Sequence, residues 1–154
     1  MPGFRLAHLS DLHLPPPQLE LRGLAPKQWL SLLAWRRRKH RRHRIEVLDA
    51  IAADIVGAAP DHIAITGDLT NFATAPEFEA AARWLGRLGD ARGVTVSPGN
   101  HDALTGRNDI ARFQPWQAWL GDAADIAFPM VRRRGDIALI NLCSALPTAV
   151  QKRF

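Results

Sequence analysis

The 154 residues contain a single cysteine. Cys143 has no partner with which to close an intrachain disulfide, so a disulfide framework is excluded. Its place in the apolar run IALINLC reads as a buried structural thiol rather than a nucleophile or ligand. Long apolar runs are also missing. The longest, such as Ile137 to Leu142, fall far short of the roughly 18 residues that suggest a membrane span. A secretory signal is not expected either, because Arg5, His8, Asp11 and His13 interrupt what would be its apolar region. These absences predict a cytoplasmic address. No internal repeat occurs, and a chain of this length with 47% apolar residues is one domain's worth of material, able to bury a core.

Acidic residues are absent from one stretch in particular. Residues 36–44, RRRKHRRHR, hold seven Lys/Arg and no acid, which accounts for the net charge of +5; the rest of the chain is slightly acidic. The run follows Trp29, Leu30, Leu32, Leu33 and Trp35 and is read first as a solvated helix extension. A second reading gives Arg36, Arg37, Arg38, Arg41 and Arg42 a weak contact with an anionic surface, either lipid or phosphate backbone. Nothing in the run is suited to reading bases, so no specific nucleic-acid recognition is expected.

What is present is an alternation of apolar strands and helical patterns. FRLAHLS (4–10), HIAITG (62–67), GVTVSPG (93–99) and DIALINL (136–142) are short, aliphatic and followed by turn formers. Ile45, Leu48, Ile51, Ala52 and Ile55 fall at helical spacing before Gly57 and Pro60. Phe78, Ala81, Ala82, Leu85 and Leu88 do the same between Pro76 and Gly89. A third helix over 110–122 is expected to be kinked or divided at Pro115. Strand, helix, strand, helix, strand predicts an α/β fold, a layered, largely parallel sheet with helices on both faces, joined by right-handed crossovers.

The polar clusters fall at the carboxyl ends of these strands. Asp11 and His13 follow the first, Asp68 and Asn71 the second, and Asn100, His101 and Asp102 the third. In open α/β sheets this edge is where ligands bind, so three loops would deliver their side chains to one crevice. Carboxylates, an amide and imidazole suit divalent Mn, Fe or Zn and disfavour thiophilic ions. A central aspartate can bridge two such cations, which together bind a phosphate ester and acidify a water, while a nearby histidine protonates the departing alkoxide. Taken singly, GDLT and GNHD could be ordinary turns. His8 and His62 lie in or beside strands and read as packed or surface residues. Glu46, Asp49 and Asp54 read as a solvated helix face or as partners of the neighbouring arginines.

Together DLH (11–13), GDLTN (67–71) and GNHD (99–102) resemble the calcineurin-like metallophosphoesterase superfamily, and HLSDLHL looks most like its cyclic-nucleotide phosphodiesterase branch. The resemblance covers roughly residues 4–146 and implies one domain over 1–154, with 15–44 a variable basic insertion. It implies a hydrolase of phosphodiesters or phosphomonoesters using two divalent cations. Asp11 and His13 would hold the first cation, Asp68 would bridge, and Asn100 would hold the second. His101 would stabilise or protonate the leaving group, with Asp102 orienting its ring by accepting its N–H. Asn71 would play a supporting part, and Gly67 and Gly99 would allow tight turns beside the metals. Relatives supply further histidines from the second half of the domain, and no histidine follows His101 here. The expectation is therefore the first half of a metallophosphoesterase sandwich, carrying about half of a two-metal shell. The alternatives are a non-catalytic remnant, or a binding module acting through residues 36–44.

Overall fold

The computed structural model describes residues 3–16, 26–34, 44–104 and 110–143. In chain order these form β1 (Leu6–Ser10), α1 (Pro26–Ala34), α2 (Ile45–Ala58), β2 (His62–Thr66) and α3 (Ala75–Leu85). A 3-10 turn at Ala91–Gly93 leads into β3 (Val94–Ser97). A 3-10 stretch at Ile110–Trp116 runs into α4 (Gln117–Leu120), followed by β4 (Met130–Arg134) and β5 (Ile137–Asn141). The class is the expected mixed α/β. Three parallel strands pair in the order β1-β2-β3, with α2 and α3 in the connections between them.

Strand alternation decides where the core lies. The register aligns Ala7 with Ile63 and Ile65 with Val96, so Ala7, Leu9, Ile63, Ile65, Val94 and Val96 share a face. They pack with Leu48 and Ala52 of α2, Phe78, Ala81, Trp84 and Leu85 of α3, and Phe113, Trp116 and Leu120 beyond β3. The opposite face is polar. His8 is exposed and lies 2.8 Å from the Thr66 hydroxyl, while His62 is fully buried and lies 2.8 Å from the Thr95 hydroxyl. Both histidines therefore serve the sheet.

The helices follow their sequence signals with local adjustments. α2 runs through Gly57 and stops at Ala58. Ala59 caps it in the left-handed region (φ 46°), next to Pro60, which disfavours a helical residue before it. Glu46 pairs with Arg44 at 3.4 Å, but Asp49 turns to α3, accepting from Trp84 Nε1 and pairing with Arg87 at 3.0 Å. Pro115 divides the third helix as expected, leaving a 3-10 stretch and a single α-turn.

The last strand departs from the pattern. β5 does not join the parallel sheet but forms an antiparallel hairpin with β4, a strand the sequence reading missed, across the two-residue turn Gly135-Asp136. β4 was hard to see because it reads MVRRR. Arg132 is nevertheless buried, its guanidinium donating to the carbonyls of Ala91, Ala118 and Gly121 and pairing with Asp122 at 3.3 Å. The hairpin is held against β3 by the Asn141 amide, which donates to Val96 and Leu120 carbonyls, and by the Ser97 hydroxyl, which donates to the Leu142 carbonyl. Cys143 is half-buried, not buried as expected, because it lies past the end of β5. Arg36, Arg37, Arg38, Arg41 and Arg42 lie outside the described residues. No helix among the described residues is long and apolar enough to cross a membrane.

Candidate metal centre

The parallel ladder does not stop where the strands do. Asp11 N–H donates to the Thr66 carbonyl, His13 N–H to Asp68 and Leu14 N–H to Leu69, so the loop after β1 is zipped to the loop after β2. Gly67 N–H donates in turn to Ser97 at the end of β3. Running the loops side by side brings Asp11, His13 and Asp68 together, with one ligand atom from each lying within 4.8 Å of the others. The arrangement is strained. Asp11 (φ 52°) and His13 (φ 44°) both occupy the left-handed region, which costs non-glycine residues of order 1 kcal/mol or more each. Gly67 (φ 82°) lies so close to Asp11 that a Cβ there would sit 3.1 Å from its carboxylate. At Gly99 a Cβ would sit 2.2 Å from Asp68 Oδ1 and 2.5 Å from Asp68 N, so only glycine fits beside this aspartate.

The loop after β3 closes the site from the other side. His101 N–H donates to Asp68 Oδ1 at 2.7 Å, and its ring meets that of His13 edge-on with centroids 5.0 Å apart. His101 Nδ1 lies 2.8 Å from the carbonyl oxygen of Asn71. A carbonyl only accepts, so Nδ1 carries a proton and Nε2 is the ring atom left for chemistry. This corrects the part expected of Asp102, whose carboxylate does not orient the ring. It is fully buried and accepts from the N–H groups of Gly99, Leu69 and Thr70 and from the Thr70 hydroxyl, tying the loops after β2 and β3 together. Burial pushes the Asp102 carboxyl up to about 7, with the neighbouring Asp68 charge adding to the effect and the hydrogen bonds from Gly99 and Thr70 opposing it. A cation held by Asp11, His13 and Asp68 would pull it back down.

Residues 4–143 match the calcineurin-like phosphoesterase family. The chain belongs to that family. No curated protein matches it. Metal-dependent hydrolysis of phosphate esters is the activity that membership in the calcineurin-like phosphoesterases suggests, and the cluster fits a divalent cation. His13 Nε2 and Asp68 Oδ2 are 3.7 Å apart, too far for a hydrogen bond. Two carboxylates and an imidazole are a donor set suited to divalent Mn, Fe or Zn. Asn100 is exposed on the same loop as His101. Sequence reasoning missed Thr70, which bonds Asp102 twice, and Glu77, whose buried carboxylate caps the turn at 71–74. Thr70 has no sequence signal beyond its motif. Glu77 had one: Thr74-Ala75-Pro76-Glu77 is a capping-box spacing ahead of an apolar helix.

Proposed function

We propose that this calcineurin-like phosphoesterase carries about half of the ligands of a two-cation site, for Mn, Fe or Zn, that hydrolyses phosphodiesters or phosphomonoesters. Asp11 and His13 would hold the first, Asp68 would serve both, and Asn100 would hold the second. Bound there, the cations would draw in the ester's non-leaving oxygens and acidify a water for in-line attack. The chain's own contribution is positional. Asp68 is fixed by the His101 amide and by the absence of a side chain at Gly99. His101 would act as the imidazolium: with Nδ1–H held by the Asn71 carbonyl, it would give its Nε2 proton to the departing alkoxide and be left as the neutral Nδ1–H ring. One observation carries the reading: the convergence of Asp11, His13 and Asp68 within 4.8 Å, with the His101 ring against His13.

Manganese titration beside turnover of a p-nitrophenyl phosphodiester tests it. Asp68→Asn should lose bound cation and activity together, since a neutral amide coordinates weakly. Equal cation content in variant and parent would overturn the bridge. His101→Asn should retain the cation and lose turnover chiefly on alkyl esters, whose leaving groups need a proton; equal losses on aryl and alkyl esters would exclude the proton-donor role.

A second reading concerns a different part of the chain. α1 carries Trp29, Leu30 and Leu33 exposed, directly before the seven Lys/Arg of residues 36–44. Apolar side chains beside a block of positive charge favour contact with an anionic lipid surface.

A further inference from the structure

We infer that Glu77 is a positioning residue for His101, acting through the turn at 71–74 and the Asn71 carbonyl. The inference rests on the reading of His101 as the group that serves the leaving alkoxide. Glu77 is 3% exposed, a buried carboxylate on the first turn of α3. A capping box needs its side chain to accept only the N–H of Thr74, which it does at 3.0 Å. Glu77 goes well beyond this. It accepts the Asn71 N–H at 2.9 Å, the Phe72 N–H at 3.2 Å and the Thr74 hydroxyl at 2.9 Å. The carboxylate thus gathers the donors of a whole turn, one that passes through a left-handed Ala73 (φ 54°). Such a conformation persists only where its surroundings over-determine it.

What the turn holds is Asn71, and Asn71 is joined to both sides of the cleft. Its N–H is bound by Glu77, its side-chain amide donates to the Leu14 carbonyl at 2.8 Å, and its carbonyl accepts from His101 Nδ1 at 2.8 Å. Leu14 follows the ligand His13 directly, so one residue links the first metal loop, the α3 cap and the leaving-group histidine. A carboxylate presents only acceptors to this turn. Glutamine, of the same size, would aim an NH2 at N–H donors and push one strand of the turn away. Displacing the Asn71 carbonyl releases the constraint that keeps the proton of His101 on Nδ1.

The test reads the tautomer directly. In protein labelled with 15N-histidine, two-bond 1H–15N correlations at alkaline pH distinguish Nδ1–H from Nε2–H, and His101→Asn assigns the signal. The variants are Glu77→Gln alone and in an Ala73→Gly background, where glycine takes the positive φ without strain and keeps the turn folded. The parent should show His101 as Nδ1–H. The double variant should shift it to at least about half Nε2–H, while manganese affinity stays within about threefold and the His62 pattern is unchanged; kcat on an alkyl phosphodiester should fall at least about twofold with little change in KM. Retention of Nδ1–H in the folded variant would overturn the inference, as would a parallel shift at His62, which would mark general loosening. If His101→Asn left alkyl-ester turnover intact, the proton-donor reading would fail, and the tautomer result would still decide the part of Glu77.

Discussion

At the scale of single residues, the site is built by letting backbone do what side chains were expected to do. Asp11, His13, Asp68 and His101 were legible because their types announce their chemistry, and DLH, GDLTN and GNHD place them after strands. The partner of His101 was not legible. Its ring is oriented by the main-chain oxygen of Asn71, which any residue type would supply, and Asp102, the obvious candidate, is used up by three amides and a hydroxyl. Gly99 is the clearest case of a side chain excluded for the sake of a neighbour. Gly99→Ala would press a methyl group onto Asp68 Oδ1 and onto the backbone at Gly67 and Asp68. The expected outcome is destabilisation of about 1–3 kcal/mol by urea unfolding. Manganese affinity should fall by more than about tenfold in the fraction that remains folded, because Asp68 must turn away. A variant with parental manganese affinity would show that Asp68 is free to re-aim and that the close approach is incidental.

At the scale of elements, the parallel sheet could be read from the strand alternation, and α2 and α3 from their 3.6-residue spacing. β4 could not, because a buried arginine looks solvated until carbonyls 11, 14 and 41 residues away are brought to it by the fold. The same hairpin sets the environment of His62. Its Nε2 is tied to Thr95, while Nδ1 has no partner among the described residues. Burial pushes its pKa down to about 4, with Arg134 and Arg132 of β4 lowering it further and Asp122 opposing them. The neutral ring is therefore the folded form. As pH falls below about 6.5 the unfolded chain takes up a proton that the folded chain refuses, so stability is lost progressively down to about pH 4. The loss is on the order of 3 kcal/mol for a shift of this size. His62→Gln keeps a partner for Thr95 and removes the titration. The stability difference between parent and variant, measured by urea unfolding at pH 7.5 and pH 5, should move against the parent at the lower pH. A difference independent of pH would place the acid sensitivity elsewhere.

At the scale of the whole molecule, charge is distributed unevenly along the chain. The α/β body carries a slight negative balance, and residues 36–44 carry the positive excess. The sequence makes this segregation plain, since it needs no knowledge of contacts, whereas the exposure of Trp29, Leu30 and Leu33 depends on which face α1 turns inward. Leu32 and Gln28 are buried there, and the Gln28 amide donates to the Phe72 carbonyl, so α1 is anchored beside the turn that holds Asn71. A helix fixed in this way presents its outer apolar side chains in a constant orientation, next in sequence to the basic run. Contact with an anionic surface would then add two terms: insertion of the three apolar groups, and about 1 kcal/mol for each Lys or Arg near the headgroups. Replacing Arg36, Arg37, Arg38, Arg41 and Arg42 with glutamine should weaken co-sedimentation with phosphatidylserine-containing vesicles by at least about 100-fold and flatten its salt dependence. Trp29→Ala with Leu30→Ala should weaken binding while leaving the salt dependence as it was, because only the apolar term is lost. If the parent binds zwitterionic and anionic vesicles equally poorly, or if the glutamine variant binds like the parent, residues 36–44 serve only as a solvated extension of the fold.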